Sequence, residues 1–261
     1  MSAQDIRIGI AGASGRMGAA VAAAVEDRAG LFLSALFDQP GSEGQMVGGR
    51  ALTTQDAALS ASDVIIDFTI GSASAALARL CADRGGPALV IGSTGFSEAD
   101  DAATVAAGAR VAMVKSGNYS LGVNVLLGLV AQAARALPTY DVEVFEAHHA
   151  RKVDAPSGTA LMLGRAAAHG RGVSLKDVEV RARDGLTGPR TPGEIGFSVL
   201  RAGGIVGEHS VILAAEDEIV TLSHSARDRS LFARGAVEAA AWLAGKPPGL
   251  YDMQDVLGMK R

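Results

Sequence analysis

Short apolar runs alternate with alanine-rich amphipathic stretches in the first part of the chain. The runs are apolar at every position, which is typical of strands buried on both faces of a parallel sheet. Alternating strand and helix segments of this length predict a doubly wound, Rossmann-like α/β fold. The predicted strands are Ile6–Ala11, Leu31–Phe37, Val64–Phe68, Ala88–Ile91 and Val111–Val114, and the predicted helices are Arg16–Glu26, Ser72–Arg84 and Ser97–Ala107.

The pattern changes after Asn118. Consecutive strand-like runs with glycine-containing links replace the alternation, and they predict an α+β domain with a mixed or antiparallel sheet. A helix at the end, Ser230–Ala244, is expected to return to the first domain, so that residues 1–119 and 230–261 form one domain and residues 120–229 another. The later predicted elements are helices Leu121–Leu137 and Gly158–Ala168 and strands Asp141–Ala147, Val178–Arg183, Ile195–Arg201, Ile205–Leu213 and Glu218–His224.

Composition narrows the class of protein. The 261 residues are 48% hydrophobic with a net charge of −4, which allows a sizeable core and argues against general binding of nucleic acid. No apolar run approaches the roughly 18 residues of a membrane helix, and the N-terminus lacks a signal-peptide pattern. The single cysteine, Cys81, lies on a predicted helix and is expected to be a packed, reduced thiol. We therefore expect a cytoplasmic protein that binds neither nucleic acid nor membrane.

A glycine loop follows the first predicted strand and opens the first helix. Its spacing is G-x-x-G-x-x-G, with Gly12 for the tight turn, Gly15 for close approach of a pyrophosphate and Gly18 for helix–strand packing. Asp38 ends the second strand, where a carboxylate binds the ribose hydroxyls and repels a 2′-phosphate. Because Gln39 is uncharged, NADH is favoured over NADPH, although Arg16 could accommodate a phosphate. The alternatives are a glycine turn without a ligand and an aspartate that only makes a turn.

Two further loops follow strands of the same predicted sheet. Ligands of open α/β sheets bind beyond the carboxyl ends of the strands. We expect the two loops to line the nicotinamide half of a dinucleotide, although such residues also make ordinary turns. The loops are Gly92-Ser93-Thr94-Gly95-Phe96 and Ser116-Gly117-Asn118-Tyr119-Ser120, and Asp67-Phe68-Thr69 is a weaker third case.

The segment from Glu146 to Ala160 joins proton donors to an anion cradle. His148, His149, Arg151 and Lys152 lie within five residues and are followed by a helix start at Pro156-Ser157-Gly158-Thr159. Histidine and lysine can deliver protons, and the unpaired N–H groups of a helix N-terminus attract anions. The joint occurrence favours an acidic small-molecule substrate that must be protonated.

Each part of this segment also has a simpler explanation. One histidine could be packed and the other solvated, Lys152 could be a surface lysine, and Ser157 could be only an N-cap. A metal site built from His148, His149 and Asp154, with distant His209 or His224, lacks the i,i+4 helical spacing of a zinc site and is not expected.

The chain resembles the 4-hydroxy-tetrahydrodipicolinate reductase family, also called the dihydrodipicolinate reductases. The similarity covers nearly the whole chain and is most specific in the histidine segment. The matching motifs are GASGRMG at 12–18, DFT at 67–69, GSTGF at 92–96, NYSLGVN at 118–124, EAHHARKVDAPSGTA at 146–160, FSVLRAGGIVGEH at 197–209 and GLYDMQDVL at 249–257.

The resemblance implies a Rossmann-like dinucleotide-binding domain, a substrate-binding and oligomerisation domain, a homotetramer, and a reductase of lysine biosynthesis through diaminopimelate. His148 would be the proton donor, Lys152 a second donor, and His149, Ser157, Gly158 and Thr159 would bind the carboxylates of a dicarboxylate substrate. NADH or NADPH would be held by Gly12, Ala13, Ser14, Gly15, Arg16, Met17, Asp38, Gly92, Ser93, Thr94, Ser116, Gly117, Asn118 and Tyr119.

Two departures from the family pattern concern the cofactor. Gln39 stands where the family often has arginine, which disfavours NADPH, and Ser93 stands in a loop that commonly reads GTTG. Other classes left open are another nicotinamide oxidoreductase of amino-acid metabolism and a non-catalytic NAD-sensing Rossmann protein. A sensor would have no use for proton donors beside an anion cradle.

Overall fold

The computed structural model describes residues 5–260, which fall into two compact units. The first unit combines the chain up to Leu121 with the segment from Ser230 onward, and the second is Gly122–Arg229. The strands are β1 Ile6–Ala11, β2 Leu31–Phe37, β3 Met46–Val47, β4 Arg50–Ala51, β5 Val64–Asp67, β6 Ala88–Ile91, β7 Ala112–Lys115, β8 Asp141–His148, β9 Glu179–Val180, β10 Ile195–Arg201, β11 Glu208–Ala214, β12 Ile219–Ser225 and β13 Gly249–Tyr251. The helices are α1 Arg16–Glu26, α2 Gln55–Ala61, α3 Gly71–Arg84, α4 Glu98–Ala107, α5 Leu121–Ala136, α6 Gly158–Arg171, α7 Leu175–Val178, α8 Ser230–Leu243 and α9 Met253–Val256.

The first unit is built on a six-stranded parallel sheet in the order β13-β7-β6-β5-β1-β2. Its inner strands are mostly buried on both faces, so Ile66 packs into one apolar cluster with α1 and α8 while the adjacent Ile65 packs into another with α3. The predicted Rossmann-like fold is confirmed. Chain order reverses between β1 and β5, and the loops after these two strands lie at the point where open α/β sheets bind ligands.

The second unit contains a five-stranded mixed sheet in the order β12-β11-β8-β10-β9. The pair β8 and β10 is parallel, whereas β11 is antiparallel to both β8 and β12, so the predicted mixed sheet is confirmed. On one face of the sheet, Val144 and Val211 pack against apolar residues of α5 and α6, such as Val130 and Leu163. Elsewhere on the sheet, Leu200 is 40% exposed and Ile219 is 67% exposed.

Several predicted boundaries were wrong for identifiable reasons. The strand predicted at Val178–Arg183 is the end of α7 followed by two-residue β9, because β9 is an edge strand that pairs only with Ile195 and Gly196. The strand predicted from Ile205 begins at Glu208. Helix α6 runs past Ala168 to Arg171 and ends where Gly172 adopts a left-handed conformation. The sequence reading missed the short elements α2, β3, β4, α9 and β13.

Two other features of the fold bear on the expectations from sequence. Cys81 is fully buried on α3, and burial raises the pKa of its thiol to about 12, so it is an inert core thiol. Among residues 5–260, no helix combines the length and the apolar character that crossing a bilayer would require.

Candidate active site

The glycine loop of the first unit owes its shape to missing Cβ atoms. Gly12 has a φ of +75°, a conformation that favours glycine. A Cβ on Gly18 would lie 2.2 Å from the carbonyl oxygen of Gly12, so α1 could not approach the loop with any larger residue there. A Cβ on Gly15 would meet only the Gly12 oxygen, at 3.2 Å. Gly15 is the N-cap of α1 and supplies no side-chain cap, so this helix start suits a phosphate.

Asp38 links the glycine loop to the end of β2. One carboxylate oxygen accepts a hydrogen bond from the Ser14 N–H at 2.9 Å, and the other accepts from the Gln39 N–H at 2.8 Å. The Ala13 N–H also donates to the carbonyl of Phe37, at 3.2 Å. The partly exposed carboxylate is therefore fixed beside the loop. Asp38, which follows β2, thus lies beside the glycine loop that follows β1, and both were predicted to bind the cofactor.

The loops after β6 and β7 are held by buried side chains. Tyr119 is 2% exposed, and its hydroxyl donates to the carbonyl of Ile91, at 2.8 Å. Burial raises the pKa of Tyr119 well above its usual value. Ser93 is buried as well, with its hydroxyl 2.6 Å from that of Ser74. The side chains of Tyr119 and Ser93 are therefore part of the core. Backbone groups of the two loops, and exposed neighbours such as Thr94, are left to face a ligand.

The other predicted members of these loops also have defined surroundings. A Cβ on Gly92 would lie 2.2 Å from the ring of Phe68, so this position must be glycine. The Ser116 hydroxyl donates to the carbonyl of Asn118 at 2.7 Å, and the side-chain oxygen of Asn118 accepts from the Ser120 N–H at 2.8 Å. These contacts fix the backbone of the loop after β7.

A fully buried carboxylate, Glu146, lies at the centre of the histidine site in the second unit. The Arg201 guanidinium donates to both of its oxygens, each at 2.8 Å, and the Ser157 N–H donates at 2.9 Å. Burial alone would raise the pKa of Glu146, but hydrogen bonds from Arg201, His148 and the Ser157 N–H outweigh it and place the pKa below its usual value. Glu146 is therefore an ionised acceptor at neutral pH.

His148, the last residue of β8, points one ring nitrogen at this carboxylate. Its Nδ1 lies 2.5 Å from Glu146 Oε2, and since an ionised carboxylate can only accept, Nδ1 carries the hydrogen. The other nitrogen, Nε2, would be 3.2 Å from a Cβ on Gly207, so the glycine leaves it room. Nε2 is thus the atom of His148 that can exchange a proton with a ligand.

His209 on β11 packs against His148. The two ring centroids are 5.0 Å apart in an edge-to-face arrangement. His209 Nε2 lies 3.2 Å from the Ser157 hydroxyl, and burial lowers the pKa of His209 to about 4. His209 is therefore neutral at physiological pH and adds no charge beside His148.

Glu146, His148 and His209 lie close enough together to suggest a metal site, with ligand atoms within 4.8 Å of one another. Both oxygens of Glu146 already accept hydrogen bonds from the Arg201 cation, which would repel a metal ion placed there. The donor set therefore fits a hydrogen-bond network better than a metal centre.

The loop after β8 brings further positive groups to this network. The Lys152 ammonium pairs with both oxygens of Asp154, at 2.8 and 2.9 Å, and holds the pKa of Asp154 below its usual range. The Nε2 of His149 lies 3.1 Å from the Arg229 guanidinium, which donates to it. Desolvation lowers the pKa of His149, and the nearby positive charges lower it further, so this imidazole is neutral.

The N-terminus of α6 completes the site. Ser157 is buried and caps the helix by accepting the Ala160 N–H at 3.1 Å, while its own N–H is used by Glu146. Gly158 is exposed, and a Cβ built on it would meet nothing within 4 Å. A carboxylate can therefore approach the first turn of α6 at Gly158, since the N-terminus of a helix attracts anions.

Three residues of this network had no assigned role in the sequence reading. Glu146 stands two residues before His148, whereas Arg201 and His209 belong to strands far along the chain. Both of the latter two stand in a second motif of the resemblance, FSVLRAGGIVGEH, and His209 was otherwise considered only as a distant ligand of a metal site that was not expected. No local spacing links them to the histidine segment.

A glycine cradle on a Rossmann-like sheet and a carboxylate-held histidine beside a helix N-terminus define a nicotinamide-dependent oxidoreductase of a small acidic substrate. The family profile described as dihydrodipicolinate reductase, N-terminus, matches residues 6–119, and the corresponding C-terminus profile matches residues 122–257. The chain belongs to the dihydrodipicolinate reductase family. It is accordingly a reductase of lysine biosynthesis through diaminopimelate, acting on 4-hydroxy-tetrahydrodipicolinate with a nicotinamide cofactor.

Individual relatives agree with this assignment. The chain is 61% identical over 260 residues to 4-hydroxy-tetrahydrodipicolinate reductase of Caulobacter vibrioides, with 99% of each chain covered. It is 51% identical over 267 residues to the enzyme of the same name from Allorhizobium ampelinum, covering 97% of this chain and 98% of the relative. A solved structure, dipicolinate-bound dihydrodipicolinate reductase from Paenisporosarcina sp. TG-14, has a TM-score of 0.77 at 20% identity, covering 96% of this chain and 98% of that one, and supports the fold.

Proposed function

We propose that the histidine site of the second unit binds the diacid substrate and protonates it during reduction, with His148 as the proton donor and Lys152 as a second donor. The observation that supports this most is the 2.5 Å contact from Glu146 to His148 Nδ1, which leaves Nε2 for the substrate. General-acid help of this kind is worth roughly 10²–10⁴ in rate.

The carboxylates of the substrate would bind where positively charged side chains and the N-terminus of α6 lie close together. Gly158 and Thr159 would offer the first turn of α6 to one carboxylate, with His149 contributing a polar contact. Ser157 would act indirectly, because its N–H donates to Glu146 and its hydroxyl caps the helix. A flat diacid, dipicolinate, is bound in the Paenisporosarcina relative, which fits this class of ligand.

The chemistry divides between the two units. The reduced nicotinamide, when bound, supplies the hydride that adds to the conjugated imine formed after loss of water from the substrate. Negative charge then develops on the substrate, and His148 quenches it by giving the proton on Nε2. Glu146 holds the imidazole in place through Nδ1 and leaves Nε2 for the substrate.

The first unit would hold the dinucleotide through backbone groups. The missing Cβ of Gly15 and the uncapped start of α1 fit a pyrophosphate. Asp38 would bind the adenosine ribose, and the uncharged Gln39 favours NADH, although Arg16 could accommodate a 2′-phosphate. The loops after β6 and β7, including Thr94 and the backbone of Tyr119, would line the nicotinamide half.

The assembly would be a cytoplasmic homotetramer formed through the second unit. The resemblance to the family supports this assembly, and exposed Leu200 and Ile219 are available for a contact between copies of the sheet. Light scattering on the purified protein would test this, with a tetramer mass expected and a monomer mass contradicting it.

The activity assay follows NADH oxidation by purified protein supplied with freshly generated 4-hydroxy-tetrahydrodipicolinate. We expect turnover with either nicotinamide cofactor and a lower KM for NADH than for NADPH. Absence of substrate-dependent oxidation would contradict the proposed chemistry, and a lower KM for NADPH would contradict only the cofactor preference.

A further inference from the structure

We propose that Glu146 is a positioning residue for the proton transfer, and that Arg201 is the clamp that holds Glu146 in place. The proposal rests on the proposed role of His148 and adds two residues that do not touch the substrate. Glu146 would fix which ring nitrogen of His148 bears the transferable proton, and it would hold the ring in one orientation.

The carboxylate of Glu146 cannot rotate without breaking several hydrogen bonds. Oε1 accepts from Arg201 Nη2 at 2.8 Å and from the Ser157 N–H at 2.9 Å, while Oε2 accepts from Arg201 Nη1 at 2.8 Å and from His148 Nδ1 at 2.5 Å. Such bidentate pairing fixes the plane of a carboxylate as well as its position. The ring of His148 is consequently held in one orientation.

Arg201 is itself anchored by backbone groups. Its Nη1 donates to the carbonyl of Leu200 at 2.8 Å and its Nη2 donates to the carbonyl of Asp154 at 2.7 Å. In the register of β8 and β10, Arg201 stands directly opposite His148. The guanidinium thus joins the strand that bears His148 to the loop that leads to α6.

In the proposed transfer, His148 loses one proton and the reduced substrate gains it. The Nε2–H bond of His148 breaks, its electron pair stays on the imidazole, and the proton forms a new bond to the reduced substrate. The hydrogen on Nδ1 remains between His148 and Glu146 throughout. The ring ends neutral with Nε2 unprotonated and regains its proton from solvent.

The main test compares Glu146→Gln with a matched control, Glu143→Gln. Glu143 lies three residues earlier on β8, and its carboxylate is also held by arginines, Arg183 and Arg190, but it lies outside the histidine network. We expect E146Q to lower kcat at least about 10-fold, up to the loss caused by H148Q, with little change in KM for NADH. We expect E143Q to keep the parent kcat and pH profile.

The split between kcat and KM separates positioning from a merely structural role. E146Q removes the carboxylate that orients the His148 ring but leaves the dinucleotide loop unchanged, so kcat should fall while KM for NADH stays near the parent value. A parent-like kcat in E146Q would overturn the proposal. If H148Q itself retains the parent kcat, the proposed role of His148 fails instead.

A measurement on the unmutated enzyme keeps the proposal testable even if E146Q does not fold. The ring nitrogens of ¹⁵N-histidine report which nitrogen is protonated, and the His148 signals among the five histidines can be assigned from their loss in H148Q. We expect the neutral form of His148 to carry its hydrogen on Nδ1. A neutral form protonated on Nε2 would overturn the proposal.

Discussion

The glycine loop of the first unit and the histidine network of the second recognise ligands in opposite ways. The loop depends on the absence of Cβ atoms, since Gly12, Gly15 and Gly18 form a backbone cradle within seven consecutive residues. The network works through polar side chains from three strands, arranged around the buried carboxylate of Glu146.

This difference predicts different responses to substitution. A backbone cradle tolerates changes in nearby side chains but no added bulk at its glycines. A charged network tolerates little change in charge, because each buried group depends on its partners. Substitutions in the loop should therefore affect cofactor binding, and substitutions in the network should affect the rate of the chemical step and its pH dependence.

The largest effect is expected for His148→Gln. The substitution removes the proton donor but leaves the α6 N-terminus, so kcat should fall roughly 10²–10⁴-fold while KM for the substrate changes far less. Steady-state kinetics with freshly generated substrate measure both constants. An unchanged kcat would remove His148 from proton transfer.

The next effect concerns two glycines at the start of α1, the N-cap Gly15 and Gly18 in the first turn. In Gly15→Ala the new Cβ meets only one atom of the protein but occupies the proposed pyrophosphate position, so NADH affinity should fall about 10- to 100-fold with little change in Tm. In Gly18→Ala the Cβ collides with the Gly12 carbonyl, so stability itself should fall by about 1–3 kcal/mol.

Fluorescence titration with NADH and thermal unfolding of both variants provide the comparison. Each of the two variants is the control for the other, since the substituted glycines are three residues apart in the chain. If Gly15→Ala binds NADH as tightly as the parent, the pyrophosphate does not lie at this loop.

Asp38→Ala should have a smaller and selective effect. The carboxylate binds ribose hydroxyls but repels a 2′-phosphate, so NADH affinity should fall about 10-fold while NADPH affinity changes less. Paired titrations with the two cofactors measure the ratio. Equal losses for both cofactors would show that Asp38 acts only by holding Ser14 and Gln39.

The smallest effect is expected for Tyr119→Phe. The hydroxyl bonds to two backbone carbonyls in the core, at 2.8 and 3.1 Å, so its loss should cost about 1–2 kcal/mol of stability. NADH affinity should remain at the parent value, because the ring is buried. Denaturant unfolding and cofactor titration test these statements, and a large loss of affinity would place the side chain in the cofactor site.

The sequence predicted the loop well because its geometry is local. Glycine spacing, the preceding apolar strand and Asp38 at the end of the next strand all lie within one βαβ segment. The same reasoning missed Arg201, which reaches Glu146 from 55 residues away because β10 pairs with β8 in a particular register. Strand register depends on the whole sheet and leaves no spacing signal in the chain.

Tyr119 and Ser93 show a second limit of sequence reasoning. Both stand in loops at the carboxyl ends of strands, where binding residues are expected, yet their side chains point into the protein and bond to its interior. Position in a loop thus predicts where a ligand lies, whereas the direction of each side chain depends on packing. The short elements β9 and α2 were mispredicted or missed for a similar reason, since tertiary contacts and caps define them.

One titration tests the central claim that the diacid binds at the carboxylate-held histidine. Pyridine-2,6-dicarboxylate is added to ¹⁵N-histidine-labelled protein saturated with NADH, and the ring signals are followed. We predict that the signals of His148 and His149 move while that of His169, in the last turn of α6, stays in place. Movement of His169 with no change at His148 and His149 would contradict the account.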